Sequence, residues 1–297
     1  MYTNHNTTGH TSDPRTLTST LGGTWYGGYG RTKCPVCGGN KQNPPLSIKR
    51  GEKGLLLHCF KGCDFRDIRE ALSVYGFSGN TPMTASEALQ ERKKEDALSQ
   101  KKAAQAQTCW KEAEPISGTP AESYLRRRGI KGDLPAALRF HPDCWHAGSA
   151  KRLPAMIARI DGGERFAIHR TYLTEDARKA DVEPNKMMLG RAKGGAVRLG
   201  GSVGPLVFGE GIESVLSVMS VLSLAGTPWA ALSTSGLMGL KLPENPSEMI
   251  IAVDGDQPGR SAGQCLARRA AAAGWKVSTA DPGDGKDFND LLEVATW

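Results

Sequence analysis

Residues Ile250-Ile251-Ala252-Val253 run without a polar break into Asp254-Gly255-Asp256, and Gln257-Pro258-Gly259 follow. An apolar run of strand formers that stops abruptly at turn residues is the pattern of a strand buried on both faces, as in a parallel sheet. In an open α/β sheet, function gathers in the crevice outside the carboxyl ends of such strands. Two carboxylates one residue apart at a strand tip repel each other unless a cation lies between them. The cation suited to hard oxygen ligands is Mg²⁺ or Mn²⁺. Taken alone, the stretch reads equally well as an acidic turn behind a core strand, and its neighbours have to decide.

Those neighbours repeat the pattern. Pro205 to Phe208 is a short apolar strand that ends in Gly209-Glu210-Gly211, with a helix from Ile212 to Leu224 behind it. Trp229 to Leu232 forms a second strand and Met249 to Val253 a third, followed by a helix near Gly259 to Ala273. Lys276 to Ala280 forms a fourth, and Asp281-Pro282-Gly283-Asp284-Gly285 leads into a last helix near Asp287 to Val294. Four strands with short helical crossovers predict a small parallel α/β sheet. Parallel strands bring their carboxyl tips to one edge. Glu210, then Asp254 and Asp256, then Asp284, Asp287 and Asp290 should therefore converge there, although unrelated acidic loops would leave the same trace. Gly283-Asp284-Gly285-Lys286 lacks the spacing and the Ser/Thr of a P-loop, and the Gly-Glu-Gly-Ile-Glu-Ser element lacks the third Gly of a dinucleotide fingerprint.

A different chemistry marks the front of the chain. Cys34-Pro35-Val36-Cys37-Gly38-Gly39 is separated from Cys59-Phe60-Lys61-Gly62-Cys63 by a stretch that reads as two strands, Leu46 to Lys49 and Leu55 to His58. Two cysteine knuckles at the ends of a hairpin complete a closed, tetrahedral four-sulfur site, so the expected metal is one structural Zn²⁺ held by Cys34, Cys37, Cys59 and Cys63. Four unrelated thiols, or His58 replacing Cys59, are the other readings. Seven Cys, four of them at metal-ligand spacing, argue against a disulfide framework. Lys33, Lys41, Lys49, Arg50, Lys53 and Lys61 around the ribbon favour single-stranded nucleic acid, though a ribbon also stabilises small folds or binds protein.

Five segments follow: a disordered tail (1–22), a zinc ribbon (23–79), a helical linker (80–118), a basic α+β intermediate module (119–204) and the parallel α/β sheet (205–297). The linker has few large apolar groups and predicts an exposed helix with Cys109 as a packed thiol. Charge divides along the chain. Residues 31–70 carry 9 basic and 4 acidic residues, 122–198 carry 16 and 9, and 206–297 carry 6 and 11. A polyanion-binding front and a metal-binding back suit that division. In the module, His169-Arg170 on a strand and Lys179, Lys186, Arg191 and Lys193 beyond it would suit phosphates of a template or nucleotide. Each lysine reads equally as a solvated side chain, and His169 as a packed histidine. No apolar run approaches the roughly 20 residues of a membrane span, and the first 20 residues lack a signal peptide's apolar core. A reducing, cytoplasmic setting is the expectation.

The Glu turn in Val207-Phe208-Gly209-Glu210-Gly211-Ile212-Glu213, the Asp254-x-Asp256 turn and Lys286-Asp287-Phe288-Asn289-Asp290 resemble the motifs of a Toprim domain. The ribbon in front resembles the one that precedes Toprim in bacterial-type and in phage- or plasmid-encoded DNA primases. Tyr124-Leu125-Arg126-x-Arg128-Gly129 and His169-Arg170-Thr171-Tyr172-Leu173 are similar to the module between them in mobile-element primases. The resemblance implies Mg²⁺-dependent synthesis of short RNA primers from ribonucleoside triphosphates on single-stranded DNA. It makes Glu210, Asp254 and Asp256 metal-binding carboxylates and Asp287 a further catalytic acid, with Lys286 among the nucleotide-binding residues. Asn289 stands where some Toprim proteins have a second Asp. Larger relatives add a helicase domain, so a separately encoded helicase is the expected partner. A metal-dependent nuclease and a non-catalytic single-stranded-DNA-binding accessory protein are the competing readings.

Overall fold

The computed structural model describes residues 13–39, 43–51, 54–75, 77, 84–201 and 204–294. The chain forms two compact units, Met1–Leu98 and Ser99–Trp297.

The first unit opens with helix α1 (Pro14–Thr20), where composition predicts disorder through residue 22. The Asp13 carboxylate accepts the Thr16 N–H at 2.8 Å, Pro14 occupies the first helical turn, and Leu17 is buried in the core. One cap and one apolar anchor outweigh a polar composition. Residues 1–12 of the expected tail lie outside the described residues. Strands β1 (Thr24–Trp25), β2 (Gly30–Thr32), β3 (Leu46–Gly51) and β4 (Gly54–Cys59) follow in an antiparallel sheet of that order. Alternation buries Leu46, Ile48, Leu55 and Leu57 with Ile68 and Leu72 of helix α2 (Phe65–Ser73). Lys41 and Lys53 lie outside the described residues.

Helix α3 (Ala85–Glu112) carries the chain into the second unit. It starts with a reciprocal cap between Thr84 and Glu87, which exchange backbone and side-chain hydrogen bonds at 2.9 and 3.2 Å. It is not the wholly exposed linker expected of residues 80–118. Ala106 and Trp110, four residues apart, are buried on one sheet of the second unit, and Arg139 lies over the Trp110 ring at 4.4 Å. A stripe this narrow is enough to seat a helix, but composition averaged over a window hides it.

The second unit contains two sheets. After β5 (Glu114–Pro115) and helix α4 (Pro120–Arg127), strands β6 (Leu138–His146), β7 (Lys151–Ile160), β8 (Ala167–Tyr172) and β9 (Lys186–Leu189) pair antiparallel in the order β5-β6-β7-β8-β9. Every residue of β8 is buried. Ile168 and Tyr172 face α3, while Ala167 and, just beyond the strand, Leu173 pack with α4 and with Ile212, Val215 and Leu216. That parity decides the fate of the neighbours His169 and Arg170.

The other sheet holds β10 (Val197–Arg198), β11 (Leu206–Gly209), helix α5 (Ile212–Val221), β12 (Thr227–Ala230), helix α6 (Thr234–Gly239), β13 (Glu248–Ala252), helix α7 (Gln257–Ala272), β14 (Lys276–Ala280) and helix α8 (Phe288–Val294). Its order is β10-β12-β11-β13-β14. β12, β11, β13 and β14 are mutually parallel, as the apolar runs predict. β10, drawn from the residues assigned to the intermediate module, adds an antiparallel edge to β12. From β11 the chain crosses to β12 on one side and then returns to β13 on the other. The strand order therefore switches direction between β11 and β13, and such a switch opens a crevice at the carboxyl tips.

Candidate functional site

The first unit brings Cys34, Cys37, Cys59 and Cys63 together, with all four sulfurs within 4.8 Å of one another. All four are free thiols. Cys34 and Gly38 exchange backbone hydrogen bonds at 2.8 Å, and Gly38 adopts φ +71°, so the first knuckle closes as a tight turn. Four sulfurs about 2.3 Å from a tetrahedral Zn²⁺ stand about 3.8 Å from each other. The Cys37 and Cys59 sulfurs are 3.6 Å apart, so the donor set fits zinc in number, softness and spacing. His58 is excluded as a substitute by the pleat. It is exposed on the face of β4 opposite Cys59 and packs edge-on against Phe60 at 4.6 Å.

In the second unit the crevice between β11 and β13 is a pocket of ≈ 200 Å³ lined by Glu210, Asp254 and Asp287, with Arg128, His169, Lys179, Lys186, Glu213 and Leu232 around them. Glu210 follows β11, and its backbone carbonyl accepts the Leu232 N–H at 2.7 Å. Leu232 sits at φ +70°, a costly conformation for a leucine, directly beside the acids. Asp254 follows β13. The turn after it is pinned to the loop before α8: the Gly255 N–H donates to the Lys286 carbonyl and the Gly285 N–H to the Gly255 carbonyl, both at 2.8 Å. A Cβ at residue 255 would collide with the Gly283 carbonyl oxygen, so this close approach requires glycine. The two loops together carry Asp254 and Asp287 to the same pocket. Asp287 in turn caps α8, accepting the Asn289 and Asp290 N–H groups at 2.8 and 2.9 Å.

The electrostatics are those of a site built for a cation. Burial and the charges of Asp254 and Asp256 push the Glu210 carboxyl up to about 7. Burial and the charges of Asp287 and Asp256 push Asp254 up to about 6. Asp254 Oδ1 is buried without a hydrogen-bond partner, which is costly unless something outside the chain supplies one. Hard oxygen donors, mutual repulsion and an orphaned carboxylate oxygen fit Mg²⁺ or Mn²⁺ and do not suit a softer ion.

Opposite the acids stand Lys179, Lys186 and Arg128. Lys186 pairs with Thr171 across β8 and β9, and His169 pairs with Met188, so the pleat points Lys186 and His169 to one face. Burial and the charge of Lys186 hold the His169 imidazole down at about 4, and its Nδ1 has no partner. Burial and Lys186 also lower the Lys179 ammonium. Arg128, Glu213 and Leu232 were not assigned a role from the sequence. The only hint was the run of three arginines at the end of α4, whose last member lines the pocket with a partnerless Nε.

Other expected residues lie elsewhere. Arg170 is buried on the opposite face of β8, donating to the Trp145 carbonyl at 3.1 Å. Adjacent strand residues point to opposite faces, so of His169-Arg170 only His169 lines this pocket. Arg191 pairs with Glu164 at 3.2 Å on a turn, and Lys193 and Lys286 are exposed, so none of the three lines the pocket. Asp256 is exposed and caps α7, accepting the Gly259 N–H at 2.7 Å. Its charge still reaches Glu210 and Asp254. Asp284 pairs with Arg260 at 2.7 Å, and Asp290 accepts the Asp287 N–H at 2.8 Å. Asn289 is fully buried and donates to the Arg128 carbonyl at 2.7 Å and to Ser217 at 3.1 Å, a clamp between elements. Among the described residues, no helix is long and apolar enough to cross a membrane.

No curated protein matches the chain in sequence. Among solved structures it is similar to a DNA primase domain from Pseudomonas aeruginosa, at 18% identity and TM-score 0.36, covering 60% of this chain and 68% of that one. The zinc-binding and RNA polymerase domains of the Aquifex aeolicus primase match at 14% identity and TM-score 0.40, over 94% and 79% of the two chains. The RNA polymerase domain of the Mycobacterium tuberculosis primase matches at 17% and 0.38, over 66% and 78%. Residues 100–199 match a domain of unknown function (DUF7146), and residues 205–296 match the Toprim domain. The acids of the pocket thus belong to a Toprim domain, the cations facing them to the domain of unknown function before it, and ahead of both the chain carries a four-cysteine cluster that fits zinc.

Proposed function

We propose that this chain is a DNA primase that joins ribonucleoside triphosphates into short RNA on a single-stranded DNA template. The observation that carries the reading is the pocket itself: carboxylates from two strand tips and one helix-capping loop of a Toprim domain share it with Lys179, Lys186 and Arg128. Acids alone serve many metal sites. Acids facing cations suit a substrate that carries phosphates and brings its own metal requirement.

Glu210 and Asp254, with Asp287 beside them, would hold Mg²⁺ or Mn²⁺, and Asp256 would add charge from outside the pocket. An ion held there would supply charge stabilisation to a nucleotidyl transfer in which a 3′-hydroxyl displaces pyrophosphate from the triphosphate. Arg128, Lys179 and Lys186 would bind the phosphate oxygens, Arg128 through a fork and the lysines as point charges. His169, neutral at pH 7, would give its free ring nitrogen to a phosphate or hydroxyl of the nucleotide. In the ribbon, Phe60 is 61% exposed with Arg31 stacked over it at 4.3 Å, a surface on which a base can stack. Lys33 and Lys61 would add phosphate contacts there.

The test combines single-stranded DNA, labelled ribonucleotides and Mg²⁺. The wild type should make template-dependent short RNA, and Asp254→Asn should lose at least about a hundredfold in rate, because a divalent ion supplies several kcal/mol of charge stabilisation. Degradation of the template would turn the reading to a nuclease. Binding of DNA without either product would leave an accessory protein.

A further inference from the structure

Glu213 lines the acidic pocket yet differs from its acids. It lies in the first turn of α5, 5% exposed, and both of its oxygens are engaged: Oε1 accepts the Tyr124 hydroxyl at 2.7 Å and Oε2 accepts the Lys186 ammonium at 3.0 Å. One carboxylate thereby ties α4, α5 and β9 together. Burial works to raise its pKa, but Lys186 and Tyr124 outweigh burial and hold it down at about 2. A carboxylate so committed has little to offer a metal ion, whereas Asp254 keeps an oxygen unpartnered.

Lys186 has a second set of neighbours. Its charge reaches both Glu210 and Asp254, the two carboxylates whose repulsion calls for a cation. An ammonium on a flexible four-carbon stem is itself such a cation. Left free, it would settle on those oxygens and compete with a divalent ion for them. We infer that Glu213 is a positioning residue: it holds the Lys186 ammonium back from Glu210 and Asp254 and so keeps those carboxylates open to a divalent cation. The inference rests on the proposed metal-binding role of those two acids.

The test is Mn²⁺ binding to the zinc-saturated full chain, read by electron paramagnetic resonance. Wild type is compared with Glu213→Gln, Lys186→Met and the double variant, with Asp254→Asn marking the site. Gln keeps the shape and a hydrogen bond to Tyr124 but loses the charge. Glu213→Gln should weaken Mn²⁺ binding by on the order of tenfold, the effect of a unit charge moved a few ångströms at a partly buried site. The double variant should return to within about twofold of wild type, a non-additivity that only action through Lys186 produces. A loss that persists in the double variant would make Glu213 a metal ligand and overturn the inference. An unchanged affinity in Glu213→Gln, with only a lower melting temperature, would leave a structural ion pair and overturn it too. Should Glu213→Gln fail to fold, Glu213→Asp, which keeps the charge but is one methylene too short to hold both Tyr124 and Lys186, takes its place alone and with Lys186→Met, and is read by the same outcomes. If Asp254→Asn leaves Mn²⁺ binding unchanged from wild type, the metal role of the acids falls first, and the inference with it.

Discussion

Cys34, Cys37, Cys59 and Cys63 come from two short turns of one small sheet, whereas Glu210 and Asp254 come from two strand tips and Asp287 from the loop that leads into α8. The sulfurs are soft donors, complete in number, with no position left for a substrate. The carboxylates are hard donors at the mouth of a pocket, half-buried, mutually repulsive and faced by cations. The contrast separates a metal that makes a fold from a metal that a fold awaits. In the first unit the core is small, so folding and metal binding are expected to be one event. In the second, two sheets and their helices supply the core, and the acids are a burden that the core carries.

The largest effect expected from this contrast is on removal of zinc. Structural zinc contributes roughly 10–16 kcal/mol in small domains, more than a unit of this size can replace by packing. Chelation, or Cys59→Ser, should therefore make residues 13–98 sensitive to limited proteolysis while a fragment covering residues 99–294 stays intact. The same chelator strips any divalent ion from the acidic pocket, and the second unit should survive that. A first unit that remains protease-resistant without zinc would break the comparison.

The two sites were also unequally legible in the sequence. The cysteine site could be read almost whole, because knuckle spacing and the strand-turn-strand between the pairs specify a local geometry. That Glu210 and Asp254 meet could be read because parallel strands bring their carboxyl tips to one edge, although either apolar run taken alone reads equally well as a core strand before an acidic turn. What assembles the wall opposite them could not. His169 and Arg170 are adjacent, and alternation says that only one can face the pocket. Which one depends on the face of β8 that α4 and α5 cover, a tertiary fact. Arg128 and Glu213 reach the pocket only because α4 packs against α5, with Tyr124 bonded to Glu213. Leu17 and Trp110 were missed for a related reason: a single anchor in a polar segment is invisible to composition.

A middle-sized effect should separate the acids that await a metal from a neighbour that only holds the loop. Asn289 sits among the acidic residues of the last loop and helix, yet it is fully buried and donates to the Arg128 carbonyl and Ser217. Asn289→Ala leaves those buried acceptors unsatisfied and should cost about 1–3 kcal/mol in denaturant unfolding of the second unit. Mn²⁺ affinity should change far less than in Asp254→Asn. A metal affinity that falls as steeply in Asn289→Ala as in Asp254→Asn would move this residue from the scaffold to the ligands.

The smallest effect is the slope of stability with pH. Glu210 and Asp254 have folded-state pKa values raised to about 7 and about 6, so the folded state binds protons that the unfolded chain has already released. Stability from these groups is fully present below the unfolded values, near 4, and is lost as pH rises through 6 and 7. Glu213, held at about 2, stays ionised across that window and adds no slope, although it lines the same pocket. After allowance for solvent screening, the loss should be on the order of 1 kcal/mol, or about 2–4 °C in melting temperature. Without Mg²⁺ and with zinc retained, the second unit should melt lower at pH 7.5 than at pH 5.5. Glu210→Gln should flatten that difference, and Mg²⁺ should raise the melting temperature more at pH 7.5, where the carboxylates are ionised. A slope that Glu210→Gln leaves untouched would mean that the acids do not repel one another in the folded chain. The contrast with the four sulfurs would then rest on donor chemistry alone.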